Sequence, residues 1–319
     1  MAVGAVDEVD TVDEWTQWIG KILLDIPCQR RRSGYSVRMD TEDAKELFFM
    51  LNDNSEILDS IYQTNKMNNL YRYFLKDYIR KEIDFSLTHQ NKGYPVPAIE
   101  KPYIADAKKI SLAKPDEFEN ISKIDLLTAI KNRKSHRVYK NKPLTINEVS
   151  YLLWCTQGIR SGVHSGHAYR NVPSAGARHS FETYLVILNV EMPENNKLMP
   201  GIYRYLPLTH ELLFEFTEDN LETNIVKAVL GQPYPGKAAL TFIWSTIPYR
   251  MEWRYSLAAH KVIAIDAGHV CQNLYLACEA IGAGTCAIAA YDQSLLDKLL
   301  RLNGDDEFSI YLAPVGKIR

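Results

Sequence analysis

The sequence predicts an α+β fold with a helical N-terminal extension. Two apolar runs rich in β-favouring residues, 183–188 and 240–245, are typical of buried strands. Residues 258–281 show a long, mostly apolar helical pattern, which indicates a helix at the centre of a core or in a dimer interface. Residues 1–90 precede these segments and carry apolar side chains at near-helical spacing.

The length and composition of the chain favour one catalytic domain with an appended region. Its 319 residues exceed the ~100–200 typical of one domain, and 46% apolar residues can build a large core. We therefore predict a helical region over 1–90, an extended connector over 91–120 and a single domain over 121–319. The prolines within 94–103 define the connector, because proline fixes φ and removes a hydrogen-bond donor.

Three helices are predicted in the N-terminal region. Periodic apolar residues indicate the first two, over 13–19 and 42–49. The third extends from Ile57 to Tyr78 and carries an aromatic stripe. Such a stripe is typical of a core or a subunit contact rather than of a platform for stacking bases.

Two short helices open the domain that follows. Residues 124–132 have an amphipathic pattern, and residues 147–156 have a second one. Thr145 is the predicted N-cap of the second helix, and Glu148 stands three residues later, as in a capping box.

The charge balance and hydropathy exclude some partners. The 37 basic and 39 acidic residues give a formal charge of -2, which argues against nucleic-acid binding through bulk electrostatics. No segment approaches the roughly 18 consecutive apolar residues of a membrane span, and the acidic N-terminus is unlike a secretory signal. We therefore expect a cytoplasmic protein with no membrane or nucleic-acid partner.

The cysteines and histidines indicate neither a disulfide framework nor a metal site. The five cysteines are odd in number and include no CxxC pair. The eight histidines form no HExxH pattern. Most of the cysteines are therefore expected in the core.

Two short basic clusters lie near the two ends of the predicted domain. One spans residues 133–137 and contains a serine, and the other spans residues 317–319. Arginine supplies planar, bidentate donors, lysine a point charge and serine a neutral donor, so together they could saturate the oxygens of a phosphate ester. The alternative is that both are solvated basic patches, since charge runs usually face water.

Eight short motifs follow one another between residues 133 and 319. They are Arg133-x-Ser135-x-Arg137, the helix pattern of 144–154 with Gln157-Gly158-Ile159, Pro173-Ser174-Ala175-Gly176-Ala177, Pro200-Gly201-Ile202-Tyr203-Arg204-Tyr205, Trp253-Arg254-Tyr255, Asp266-Ala267-Gly268-His269-Val270, Gly282-Ala283-Gly284-Thr285-Cys286 and Val315-Gly316-Lys317. In this order they resemble the FMN-dependent nitroreductase superfamily. Within it they resemble the SagB/ThcOx-type dehydrogenases, which include oxidases of azoline rings in modified peptides. The resemblance implies a central, mostly antiparallel sheet flanked by helices, a bound FMN and a homodimer.

The resemblance also assigns residues to FMN. A basic residue at the position of Arg137 lies against the pyrimidine edge of the flavin ring, where it stabilises the anion formed when the ring accepts a hydride. Small residues after Gly284 and in the 173–177 loop allow backbone to approach the ring. The loop comes from the other subunit in related enzymes. The phosphate ligands are Arg133, Ser135, Lys317 and Arg319, and the ring contacts are Pro173, Ser174, Ala175, Ala177, Ala287, Ala289 and Ala290.

Arg254 and Tyr255 are the predicted catalytic residues. Peptide azoline oxidases carry a Lys-Tyr pair at this position, and here arginine replaces the lysine. A guanidinium stays protonated at neutral pH and cannot act as a base, which leaves Tyr255 as the proton donor or acceptor. Arg254 remains able to hold an anionic group.

The predicted function is therefore two-electron hydride transfer by an FMN-dependent dehydrogenase or oxidase. Its substrate would be a small molecule or a peptide, oxidised at a heterocycle or a backbone bond. One alternative is an NAD(P)H-dependent nitro, ene or quinone reductase. Another is a non-catalytic flavin-binding subunit of a peptide-modifying complex, although storing a flavin needs no proton-transfer residue such as Tyr255.

Overall fold

The computed structural model of the protein describes residues 55–318. The chain divides into two units, of which the second begins at Lys76. In the first unit the structure describes helix α1 (Ser55–Leu75), which begins two residues before the predicted aromatic helix and ends three residues before its predicted end. The predicted helices over 13–19 and 42–49, and Arg319, lie outside the described residues.

The second unit is built on eleven strands. In chain order they are β1 (Lys109–Ser111), β2 (Leu144–Thr145), β3 (Ile159–His164), β4 (His167–Arg170), β5 (Phe181–Ile187), β6 (Val190–Glu191), β7 (Gly201–Leu206), β8 (Glu211–Phe216), β9 (Leu240–Thr246), β10 (Ala283–Thr285) and β11 (Phe308–Lys317). Seven form one sheet in the order β1-β8-β7-β5-β9-β11-β10, with every neighbouring pair antiparallel. Strands β2 and β6 form a small parallel pair, and β3 and β4 form a separate antiparallel hairpin.

Six helices accompany the sheet in this unit. They are α2 (Leu126–Asn132), α3 (Ile146–Gln157), α4 (Leu221–Ala228), α5 (Tyr249–Tyr255), α6 (Ala259–Ala280) and α7 (Gln293–Leu300). The bounds of α2, α3 and α6 agree to within two residues with the helices predicted over 124–132, 147–156 and 258–281.

Both faces of the seven-stranded sheet are buried. Leu185 of β5 packs in a core formed with α3 and α6. Its neighbour Val186 points the other way, into a core formed with α4 and α7. Successive residues of a strand face opposite sides of a sheet, so a sheet covered twice needs continuous apolar strands rather than alternating ones. This three-layer arrangement explains the apolar runs at 183–188 and 240–245 and confirms the predicted α+β class with an antiparallel sheet.

The capping box predicted for the second helix is present. The Thr145 hydroxyl accepts a hydrogen bond from the Glu148 backbone N–H, and the Glu148 carboxylate accepts one from the Thr145 backbone N–H. Two otherwise unpaired donors at the start of α3 are thereby satisfied.

Part of the segment predicted as a connector belongs to the main sheet. Within 91–120, strand β1 pairs with β8 at the edge of the sheet. Upstream of it, the backbone N–H of Lys101 donates to the buried Glu182 carboxylate at 2.7 Å. The Lys101 carbonyl accepts a hydrogen bond from Arg204 at 2.8 Å. The proline-rich chain is thus held against the sheet by a buried ionic network.

Glu182 is the centre of that network. Its carboxylate pairs with Arg250 at 2.5 Å and with Arg204 at 3.6 Å, and all three side chains are almost fully buried. Burial opposes ionisation of Glu182, but the two guanidinium groups outweigh this effect and hold its pKa below the ordinary value. The carboxylate is therefore charged and paired.

Across residues 55–318, the structure contains no helix of the length and apolarity that a bilayer crossing requires. The same part of the chain contains no group of three histidine, cysteine or acidic side chains arranged to hold a metal ion.

Candidate functional site

The basic segment 133–137 lies along the edge strand β10. Helix α2 ends at Asn132, and Arg133 is its C-cap. The chain then runs beside the strand, with Ser135 opposite Thr285 and the His136 N–H donating to the Thr285 carbonyl at 2.9 Å. The His136 ring packs on Gly284, where an added Cβ would lie only 2.6 Å from it. Glycine at 284 therefore allows the basic segment to approach the sheet.

Tyr275 of α6 joins this segment to the loop after β10. Its hydroxyl lies 2.9 Å from the Ser135 Oγ and accepts a hydrogen bond from the Ala287 N–H, also at 2.9 Å. The Arg133 guanidinium stands over its ring, 5.3 Å from the centroid. The sequence analysis missed Tyr275, and its only signal was a phenol on a mostly apolar helix.

A second tyrosine supports Arg137. The guanidinium lies 6.0 Å from the centroid of the Tyr234 ring, within cation–π range. Burial and the neighbouring Cys286 raise the pKa of Tyr234 to about 12, so the phenol is neutral at physiological pH. Nearby, the carbonyl of the exposed Ala290 accepts a hydrogen bond from the Gln232 side chain at 3.1 Å.

These residues form what we term the basic site. In the described part of the chain, no carboxylate lies within ion-pairing distance of its arginines. Its cations are therefore available to an anion. The basic site comprises Arg133, Ser135, Arg137, Tyr234, Tyr275 and the small residues Ala287, Ala289 and Ala290.

Lys317 lies nearby but has other partners. It pairs with Ala283 across β10 and β11, two residues along the strand from Thr285. Its ammonium forms an ion pair with Glu148 and donates to the Ile281 carbonyl at 2.7 Å. The structure therefore brings Lys317 to the strand beside the basic site, with its charge directed to the start of α3.

The 173–177 loop contacts the predicted catalytic pair. Gly176 has a φ of 60°, and a Cβ added there would lie 2.6 Å from the Tyr255 hydroxyl and 3.4 Å from an Arg254 Nη1 atom. Arg254 and Tyr255 form the last turn of α5, and the guanidinium lies 5.5 Å from the centroid of the tyrosine ring. Glycine at 176 thus allows both the left-handed backbone conformation and the close approach of the Tyr255 and Arg254 side chains.

Ser174 and Ala175, at the start of the loop, are held by neighbouring groups. The Ser174 hydroxyl accepts a hydrogen bond from the His179 N–H at 3.1 Å. Asp266 of α6 also faces the loop: burial raises the pKa of this carboxyl, and interactions with Ser174, His269 and the Ala175 backbone oppose the rise. We term the group formed by Pro173, Ser174, Ala175, Gly176, Ala177, Arg254 and Tyr255 the loop site.

A cavity of about 450 Å³ opens beside the loop site. This volume is within the range of small-molecule sites. Its wall combines the loop with the hairpin β3–β4 and with Arg254. The lining residues outside the loop site are Arg160, His167, Tyr169, Arg170, Val172 and His179.

The two sites occupy different positions along α6. Asp266 faces the loop site, whereas Tyr275 belongs to the basic site. Nine residues of α-helix separate them, which corresponds to about 13 Å along the helix axis. The described part of the chain therefore presents two separate groups of side chains, one with two arginines that lack carboxylate partners and one with a phenol beside a guanidinium.

The residues of the basic site suit a flavin phosphate. Two arginines without carboxylate partners and a serine hydroxyl can donate to phosphate oxygens, and Ala287–Ala290 presents no bulky side chain. The side-chain chemistry of the basic site thus fits FMN.

Comparison of the fold defines the class of protein. The crystal structure of a protein named as a nitroreductase, from Ralstonia eutropha JMP134, superimposes with a TM-score of 0.53 at 24% identity. The match covers 70% of this chain and 97% of that one. This likeness shows that the fold is nitroreductase-like.

The sequence profile of the nitroreductase family matches residues 130–317, more than half of the chain. The chain therefore belongs to the nitroreductase family, as the motifs between residues 133 and 319 predicted. The protein MJ1384 of Methanocaldococcus jannaschii, also named as a nitroreductase, is 26% identical over 201 residues, or 63% of this chain and 95% of its own length. The trifolitoxin operon protein TfxC of Rhizobium leguminosarum bv. trifolii is 22% identical over 244 residues, which cover 73% of this chain and 66% of TfxC.

Proposed function

We propose that the protein is an FMN-dependent dehydrogenase or oxidase that works as a homodimer. Membership of the nitroreductase family supports an oxidoreductase, and the unpaired cations of the basic site support a flavin with a phosphate. Bound FMN would supply a ring that accepts or returns a hydride, a two-electron step. The chain's own residues then have to hold the phosphate, position the ring and move a proton.

Arg133 and Ser135 are the proposed phosphate ligands. Arg133 is a partly exposed helix C-cap, and Ser135 is oriented by the Tyr275 hydroxyl. Charge-assisted hydrogen bonds of this kind are roughly twice as strong as neutral ones. Arg137, steadied by the Tyr234 ring, is left to place positive charge at the flavin ring, where it stabilises the reduced anion.

The observation that carries the proposal is the contact of Tyr255 and Arg254 with Gly176. A phenol and a guanidinium converge on one backbone position of the loop site. Tyr255 can donate or accept a proton as the hydride moves, and Arg254, which stays protonated, can hold an anion beside it. A protein that only stored a flavin would not need this pair.

The separation of the loop site and the basic site supports the proposed homodimer. With about 13 Å of helix between the loop site and the basic site, the loop site of one chain is proposed to complete the basic site of a second chain. Isologous association of two copies forms two such composite sites at once.

The substrate is proposed to be a peptide, or a natural product derived from one, that is oxidised at a heterocycle or a backbone bond. The SagB/ThcOx-type motifs and the similarity to a protein of the trifolitoxin operon support this direction. The similarity to MJ1384, which is named as a nitroreductase, favours the alternative of a reductase. For that alternative the proposed electron donor is NAD(P)H.

The first test is an anaerobic absorbance spectrum of the purified protein, before and after NADH or NADPH is added. We expect a yellow protein that releases stoichiometric FMN on denaturation and stays oxidised with either nucleotide. Rapid bleaching by a nucleotide would support the reductase. A colourless protein that takes up no FMN on reconstitution would contradict the proposed function.

The phosphate contact has a matched pair of variants. Arg133→Gln should weaken FMN binding about tenfold or more, because a hydrogen bond to a charged group contributes about 1.5–3 kcal/mol. Lys134→Gln alters the adjacent, exposed cation and should leave the FMN dissociation constant almost unchanged. The FMN dissociation constants are measured by fluorescence titration of the apoproteins. If both variants weaken FMN binding equally, Arg133 contributes only general electrostatic attraction and does not bind the phosphate directly.

A further inference from the structure

The cavity beside the loop site has a strongly cationic wall. Arg160, Arg170 and Arg254 line it together with His167 and His179, and no carboxylate lines it. A cavity of about 450 Å³ can enclose a ligand of several rings or a few amino-acid residues.

Two of these arginines have no anionic partner. Arg160 and Arg254 are exposed, and within residues 64–318 no carboxylate lies within 4.0 Å of either guanidinium. Most surface arginines have bulk water on all sides, whereas these two lie on one concave wall. Their forks of N–H donors match the geometry of a carboxylate.

Arg170 adds a cation that is almost completely buried. Only 4% of the residue is exposed, and it donates to the Gln157 side chain and the Ile99 carbonyl, both at 2.9 Å. Its Nε atom has no partner among the described residues. Burial lowers the pKa of Arg170 to about 10, with Glu182 and Glu100 acting in the opposite direction, so the group is charged at neutral pH.

The carboxylates near this wall are already engaged. Glu182 acts on Arg170 but is also paired with Arg250 and Arg204, and the Glu100 carboxylate accepts a hydrogen bond from the Leu208 backbone N–H. Behind the wall, burial, Arg254 and Arg250 lower the pKa of Arg178, because like charges crowd there. Buried cations in excess of carboxylates are costly unless an anion compensates them.

The positive charge of Arg170 also affects His179, a buried histidine in the cavity wall. His179 is 4% exposed, and burial followed by the repulsion of Arg170 lowers its pKa to about 2. It is therefore neutral and can accept or donate a single hydrogen bond without adding a charge.

We propose that this cavity binds a carboxylate of the substrate between Arg160 and Arg254, beside Gly176, the lining residue that the Tyr255 hydroxyl approaches. The inference rests on the proposed function and narrows it to substrates that carry a carboxylate near the reacting bond. The Arg254 guanidinium and the Tyr255 hydroxyl both lie close to Gly176. A substrate whose carboxylate binds to Arg254 would therefore have the atoms next to that carboxylate near the Tyr255 hydroxyl. Holding the substrate in this way supplies orientation as well as affinity.

The phosphate of FMN is also an anion that could bind this wall, so the test distinguishes a substrate carboxylate from the cofactor phosphate. The probes are 4-fluorobenzoate and its neutral counterpart 4-fluorobenzamide, titrated by ¹⁹F NMR into the full-length protein before and after reconstitution with FMN. We expect the benzoate to bind at least about tenfold more tightly than the benzamide. Arg160→Gln and Arg254→Gln should each remove this difference, and Arg254→Lys should retain part of it.

Arg301→Gln provides the control, since Arg301 is an exposed arginine that faces Glu218 away from both sites. It should leave both probe affinities unchanged, and the circular dichroism and the FMN dissociation constant of the cavity variants should match the wild type. Equal affinity for the two probes in the wild-type protein overturns the inference. So does a parallel loss of FMN binding in the cavity variants, which assigns the anion site to the cofactor. Benzoate selectivity without FMN binding would preserve the anion cavity and contradict the proposed function.

Discussion

Of the two predicted catalytic residues, only Tyr255 has a side chain suited to proton transfer. Arg254 occupies the preceding position and packs on the tyrosine ring, yet it cannot exchange a proton at physiological pH. In the proposed hydride transfer, Tyr255 rather than Arg254 is therefore the member of this pair that would exchange the proton.

Tyr255→Phe is predicted to lower turnover by about 10²–10⁴-fold, the usual contribution of a positioned acid or base. The change removes only the hydroxyl, so FMN affinity should be retained. The measurement is the rate of flavin reduction by a substrate that reduces the wild-type protein, followed by stopped-flow absorbance.

Tyr249→Phe is the matched control for this prediction. Tyr249 belongs to the same helix, and its hydroxyl contacts His89 at 2.9 Å on the exposed side. We expect its turnover to equal that of the wild type. Unchanged turnover in the Tyr255→Phe protein would remove Tyr255 from the catalytic role.

His179 is predicted to destabilise the protein at mildly acidic pH. Its pKa of about 2 in the folded protein lies below the ordinary value of about 6.5 expected after unfolding, so the unfolded chain binds a proton that the folded chain excludes. The resulting loss of unfolding free energy is negligible when the pH is well above the ordinary histidine pKa, and it grows as the pH falls below that pKa. Between pH 7 and pH 5.5 it amounts to about 1 kcal/mol.

Urea unfolding at these two pH values provides the measurement. His179→Asn should reduce the loss of unfolding free energy by about 1 kcal/mol, and asparagine tolerates the positive φ of 48° at this position. The exposed His164→Asn variant should keep the wild-type pH dependence. A His179→Asn protein that loses as much stability as the wild type would show that other groups set the acid response.

Single residues of the site were predictable where a motif fixes them in the chain. Arg133, Ser135 and Tyr255 stand in short patterns that can be read without a structure. Tyr275 was not predictable, because its partner Ser135 lies 140 residues away and only the packing of α6 against β10 brings them together. The same reason applies to Arg160 and Arg170, which form one wall only once the β3–β4 hairpin has folded over the loop.

At the scale of elements, the start of α3 links local and long-range structure. Its capping box is complete within four residues, and the same Glu148 carboxylate also pairs with Lys317 at the end of β11. Glu148 is therefore expected to contribute more to stability than a cap alone.

Thr145→Ala should lower the unfolding free energy by about 1 kcal/mol, the usual cost of a lost N-cap. Glu148→Gln can keep the capping hydrogen bond but leaves Lys317 without its carboxylate, and its cost should be larger, about 3 kcal/mol. Urea unfolding of the two variants distinguishes these values. Glu222→Gln, an exposed change in the first turn of α4, should cost less than about 0.5 kcal/mol. A Glu148→Gln protein no less stable than Thr145→Ala would contradict a stabilising ion pair with Lys317.

The boundaries of elements were predictable where the signal is local. The helix starts at Thr145 and near residue 125 have side-chain caps, and the strands at 183–188 and 240–245 have dense apolar sequences. Strand β1 was not predictable. It has three residues, two of them polar, and exists because β8 offers a free edge.

At the scale of the whole molecule, the proposed dimer makes a quantitative prediction. An Arg133→Gln/Arg137→Gln chain lacks the basic site, and a Tyr255→Phe chain lacks the loop site. Each homodimer should have very low activity. A mixed dimer should contain one intact composite site, formed by the basic site of one chain and the loop site of the other.

Refolding the two variants together in equal amounts should therefore restore about one quarter of wild-type turnover, because half of the dimers are mixed and each has one of two sites. The molar mass of the restored species, measured by light scattering after size-exclusion chromatography, should be twice that of the chain. Activity that stays at the level of the separate variants would show that each chain completes its own site.

The position of β11 has a consequence for biosynthesis. Residues 308–317 lie inside the seven-stranded sheet, between β9 and β10, rather than at an edge. While the ribosome is still translating them, β9 and β10 have no strand between them, and the edge beside which Ser135 lies is not joined to the sheet. The nascent chain must therefore wait, with apolar strands uncovered, until residue 317 has left the exit tunnel. A nascent chain stalled before β11 should therefore be a preferred client of chaperones that shield exposed strands.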